Sequence, residues 1–125
     1  MAYVIAGLMA GLSFLLNKAL LKLVGIKTVI TYSPAIEESA KTLPAFYLGA
    51  DVLATHVLFG LIEAVYDLMA GGTNRYRAAG CSIAGHALFG LLTAMLLFLS
   101  GNVWLALLGG IAAHLIWNAQ MVRRV

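Results

Sequence analysis

At 125 residues the chain is sized for one domain, and 62% hydrophobic against 10% charged residues is too little polarity for a soluble surface, which draws on about 25% charge. Mean hydropathy is +0.96. The formal charge of +3 gathers at segment ends instead of along a basic stripe, which excludes nucleic acid as a partner class and points to the lipid bilayer.

The expected fold is all-α, a polytopic membrane helix bundle of about five helices in a single integral membrane domain over residues 1–125. The first apolar segment covers residues 2–24. No basic stretch precedes it and no small-residue cleavage site follows, so it reads as a retained helix and not a signal peptide. Lys18 and Lys22 near its end can reach the headgroups. Gly7-Leu-Met-Ala-Gly11 is a GxxxG pattern, read first as packing within the chain and second as a dimer face.

Residues 25–31 read as a connection. Ser33 can cap and Pro34 suits a first helical position, which predicts a second helix over 34–48, kinked by Pro44. That helix is only about 22 Å long at 1.5 Å per residue. Its first turn holds Glu37 and Glu38, with Lys41 on the next turn. Ionisable groups inside an apolar chain are expensive to keep, so this cluster is the leading candidate for function.

A third helix is expected over 51–70, with His56, Glu63 and Asp67 on one stripe beside Phe59 and Gly60. Residues 71–77 form a polar turn. The fourth helix covers 78–99 and carries Ser82 and His86 one turn apart. After Ser100, Gly101 and Asn102, the fifth covers 103–121 and carries His114 and Asn118, again one turn apart.

Lysines and arginines follow the first, third and fifth helices: Lys18, Lys22 and Lys27, then Arg75 and Arg77, then Arg123 and Arg124. The other two turns have none. By the positive-inside rule this alternation predicts an N-out, C-in protein. Glu37, Glu38, Glu63, His86 and His114 then fall within roughly 10 Å of one another in depth. His56 lies nearer the outer end and is expected to serve helix packing.

A carboxylate in a dry pocket is a base strong enough to act on water near neutral pH, and a neighbouring neutral histidine can donate to a developing oxyanion. Asn118 can orient or add to it. These are the parts of a water-activating hydrolase. Ser39 and Cys81 have no motif beside them that would make a nucleophile, and the lone Cys81 forms no intrachain disulfide. Glu38, Glu63, His86 and His114 are also standard zinc ligands, although no HExxH motif is present. No cofactor is expected, with zinc left open.

The motifs bear a family likeness. Glu37-Glu-Ser-Ala-Lys41 resembles the EExxK motif of the PrsW membrane proteases, and Phe59-Gly-Leu-Ile-Glu63 resembles their FxxxE. Gly85-His-Ala-Leu-Phe-Gly90 is similar to that family's histidine motif, and His114-Leu-Ile-Trp-Asn118 to the HxxxN of the CAAX- and bacteriocin-processing (CPBP) relatives. Position 42 is Thr where the CPBP motif has arginine, so only the PrsW-type lysine fits, and the chain is short for either group.

The resemblance implies metal-independent proteolysis of a membrane-associated peptide or protein in a prokaryotic inner or plasma membrane, with the site toward the cytoplasm. It places the water-activating role on Glu37 and Glu38, with Glu38 preferred, and completes the site with Glu63, His86, His114 and Asn118. Lys41 would neutralise the pair and Phe59 support it. A homo-oligomer would add walls to so small a protein.

One repeat stands apart: His56-Val-Leu-Phe-Gly-Leu-Ile-Glu-Ala64 matches His86-Ala-Leu-Phe-Gly-Leu-Leu-Thr-Ala94. Consecutive helices run in opposite directions, so this would be an inverted repeat, and shared packing is its simpler reading. Two other functions remain open: a catalytically silent relative that binds with the same pocket, and a small proton or ion carrier. The carrier requires a polar path across the outer half, where the sequence shows few polar groups.

Overall fold

The computed structural model describes residues 1–25 and 27–122. Among these, the chain is all-helical: α1 (Ala2–Val24), α2 (Lys27–Ile30), α3 (Tyr32–Tyr47), α4 (Val52–Ala70), α5 (Arg75–Ser100) and α6 (Val103–Val122). Four of them, α1, α4, α5 and α6, are long and apolar enough to cross a membrane. Their outward faces carry Leu, Ile, Met and Phe in the open, as a bilayer-facing surface requires. The chain has the make-up of an integral membrane protein. Arg123 and Arg124, which close the charge alternation, lie outside the described residues.

The fifth expected crossing is α3, and it differs from the other four. Its 16 residues make about 24 Å, and it buries Glu37, Glu38 and Lys41. Such a helix is stable in an apolar setting only when its polar face meets protein. Here α1, α4 and α6 pack around it.

The ends of α3 also depart from expectation. Residues 25–31 are not all connection, because Lys27–Ile30 forms one helical turn. The Thr31 hydroxyl donates to the Lys27 carbonyl at 2.7 Å and joins this turn to α3. Ser33 is therefore not the cap; it lies buried inside the first turn of α3. Pro34 follows in that same turn, where a missing N–H costs little. Pro44 is carried inside the helix, which ends one turn later at Tyr47.

Caps define the other elements. The Asp51 carboxylate accepts the Ala54 N–H at 2.7 Å and starts α4. Asn102 Oδ1 accepts the N–H of Trp104 and Leu105 and starts α6. α5 begins at Arg75, earlier than the apolar run alone suggests, since its first turn is polar.

α4 and α5 run antiparallel, as the pairs Glu63–His86 and Asp67–Ser82 show: a step of four forward on one helix is four back on the other. Two glycines let them close. A Cβ on Gly60 would stand 2.8 Å from the Cβ of His86, and one on Gly90 would stand 2.5 Å from that of His56. The repeated His-x-x-x-Gly is thus reciprocal packing, the histidine of each helix seated on the glycine of the other.

Candidate functional site

α3 presents its two glutamates to different neighbours. Glu38 is fully buried, and its Oε1 lies 2.7 Å from Lys41 Nζ one turn along the helix. The same oxygen is 2.9 Å from His114 Nδ1 on α6. Its other oxygen, Oε2, faces His56 Nδ1 of α4 at 3.6 Å and is held close to the backbone of α6 at Gly110, where a Cβ would come within 3.0 Å of it.

Glu37 is 7% exposed and faces a cavity. Its Oε1 accepts from Asn17 Nδ2 of α1 at 2.8 Å, and its Oε2 lies 3.9 Å from His114 Nε2. The cavity, about 540 Å³, is lined by Glu37, Glu63, His86, His114 and Asn118 among others, while Glu38 and Lys41 stand behind its wall. Glu63 is the most open of the three glutamates, its side chain 39% exposed against 10% for that of Glu37.

Lys41 connects the two halves of the site. Its Nζ also lies 2.8 Å from His86 Nδ1 and 4.5 Å from the centre of the Phe59 ring, a cation–π contact. An ammonium only donates, so Nδ1 of His86 accepts, and the ring proton sits on Nε2, bonded to Glu63 Oε2. Phe89 stacks on His114 with ring centres 4.4 Å apart and holds that imidazole in place.

Every residue expected at the site is brought to it: Glu37, Glu38, Glu63, His86 and His114 form the cluster, Lys41 and Phe59 support it, and Asn118 lines the cavity one turn from His114. His56 requires a correction. Besides packing on Gly90, it contacts Glu38 and shares a hydrogen bond with Thr42 at 3.2 Å. The depth count took Glu38 from the near end of α3 alone; about 14 Å further on that helix ends, and the first turns of α4 bring His56 back to Glu38. The half of the bundle expected to lie outward is also more polar than the sequence suggests, with Thr42, Thr55, His56 and Thr93 all fully buried.

Asn17 is the residue that sequence reasoning passed over. A single amide four residues from Lys22's neighbour Leu21 looks like part of the polar end of a membrane helix. Its position one turn below Ser13 on the buried side of α1 was the available signal.

Glu37, Glu63 and His86 bring ligand atoms within 4.8 Å of one another, the spacing of a metal site. The donor set fits a cation poorly. Metal on His86 Nε2 would move the proton of a neutral ring to Nδ1, pointing it at the Lys41 ammonium, donor against donor. Compared with family models, with curated proteins and with solved structures, the chain matches none.

Proposed function

We propose that this protein is an intramembrane peptidase of the glutamate type, resembling the PrsW and CPBP proteases, that hydrolyses a membrane-associated peptide from a site on the cytoplasmic side. One observation carries the reading: Glu37 of one short helix meets Glu63, His86 and His114 from three other helices at a cavity large enough for a peptide segment, with Glu38 behind its wall on His114.

The division of labour follows from the partners. Glu38 has Lys41 and His114 on one oxygen and no face on the cavity, so it orients both and balances the buried ammonium. Glu37, with a neutral amide on one oxygen and the other toward the cavity, is the base. This moves the water-activating role from Glu38, the choice from sequence, to its neighbour.

A water held between Glu37 Oε2 and His114 Nε2 gives its proton to Glu37 as its oxygen attacks the peptide carbonyl carbon. The oxyanion takes hydrogen bonds from the Asn118 amide and from His86 Nε2–H, which the substrate draws away from Glu63 Oε2 as charge develops. When the C–N bond breaks, the proton on Glu37 passes to the leaving nitrogen, so one water is added across the amide.

The test is cleavage of synthetic membrane peptides by the purified protein in lipid. Wild type should cut; Glu37→Gln should not, while remaining folded. Cutting by Glu37→Gln at the wild-type rate would end this assignment. A carrier reading draws on the Thr42–His56 extension of the polar layer and predicts proton flux across vesicles, which the peptidase does not.

A further inference from the structure

A second cavity, of about 300 Å³, lies between α1 and α4 and includes Ala10, Gly11, Ser13 and Ile62 in its lining. It shares Phe14, Asn17, Glu37, Glu63, Tyr66 and Asp67 with the larger one. The two therefore meet at the carboxylates. From there the larger cavity continues to Leu21, Ala78 and Met121, where α1 and α6 end and α5 begins. The smaller leads the opposite way, back along α1 toward Ala10.

Gly11, Phe14, Ile62 and Tyr66 are exposed on helices that can span a membrane, so this second opening faces acyl chains. It is not uniformly apolar. Ser13 is 1% exposed, and its hydroxyl has no hydrogen-bond partner; neither does Oδ1 of Asn17, one turn away on the same helix. Buried polar atoms without partners are costly and rare. A hydroxyl and an amide oxygen set along an apolar cleft match what an extended peptide presents, an N–H and a C=O at each residue.

We infer that the α1–α4 cleft is the substrate's lipid-side subsite: it takes the apolar segment next to the scissile bond in extended form, with Ser13 and Asn17 bonded to its backbone. This rests on the peptidase reading. The polar continuation of the substrate leaves through the larger cavity, so the bond cut is the one where an apolar stretch becomes polar. A helix, at about 10 Å across, does not fit so small a cleft, and the segment must unwind to enter. The cleft also limits the size of the side chain it accepts.

The experiment uses the full chain in lipid and two synthetic peptides, each an apolar span of about 20 residues running into a Gly/Ser/Lys tail, with Ala or Leu on the apolar side of the junction. Gly11→Phe narrows the cleft without a backbone clash, since no atom lies within 4 Å of a Cβ there. The Leu-to-Ala cleavage ratio should fall at least about ten-fold, and Ser13→Ala should raise KM for both peptides by about five-fold.

A third peptide, N-methylated at the junction so that it resists cleavage and carrying benzophenone on the apolar side, should crosslink to residues 10–14 and 62–66. An unchanged ratio, or crosslinks on another helix pair, overturns the cleft while observed cleavage leaves the peptidase standing. Crosslinks in the cleft with no cleavage of any peptide keep the cleft as a binding site and overturn the peptidase.

Discussion

Asn17 of α1 donates one amide hydrogen to Glu37 of α3 across 2.8 Å, and so a helix that brings no carboxylate or histidine to the site sets the rotamer of the proposed base. A hydrogen bond to a charged acceptor contributes about 1.5–3 kcal/mol. Asn17→Ala is expected to lower kcat by about ten-fold or more with a smaller change in KM. Steady-state kinetics on a synthetic membrane peptide measure the split. A pure KM effect would show that Asn17 serves binding alone.

The two glutamates separate by stability as well as by activity. Glu38→Gln leaves the buried Lys41 without its counter-charge and should cost about 3–5 kcal/mol, read as a lower unfolding midpoint in detergent. Glu37→Gln, beside a cavity and an amide, should stay within about 1 kcal/mol of wild type yet lose cleavage. The reverse pattern would return the base to Glu38.

Removal of metal should leave the protein unchanged. With Lys41 donating to His86 Nδ1, the Nε2 proton occupies the position a cation needs. Cleavage should survive a chelator, and added zinc should not raise the rate or the unfolding midpoint. A rise of several degrees with zinc would show that the Glu37, Glu63 and His86 group holds it.

The reciprocal seats of α4 and α5 give a purely structural prediction. Gly60→Ala and Gly90→Ala each put a methyl against a histidine Cβ, 2.8 Å and 2.5 Å away. Neither side can yield without moving a helix backbone, so each should cost about 1–3 kcal/mol. Gly80→Ala on the same helix meets nothing within 4 Å and should be neutral or stabilising. Equal unfolding midpoints for all three would remove the close approach.

Much of the site could be read before any fold was known. The Glu37–Lys41 cluster, Glu63, His86 and His114 stand out because an ionisable side chain in an apolar run is rare enough to need a reason. Residue counting along five crossings put them at one depth. The same counting misplaced His56, because it took the depth of Glu38 from the near end of α3 and did not follow that short helix to its far end, where α4 begins. It could not find Asn17 either, since an amide near the end of a membrane helix reads as ordinary interfacial polarity.

Sequence alone determined the solvent, the helical class and the residues with chemistry to offer, because each follows from local composition: an apolar run of about 20 residues has few alternatives to a membrane helix. Only the tertiary structure decided which glutamate faces the cavity and which holds the lysine. Glu37 and Glu38 are adjacent and chemically identical. A turn of about 100° per residue on the helix directs one to Asn17 and the cavity and the other to Lys41, His114 and the close backbone of α6, and that difference arises from the packing of four helices at once.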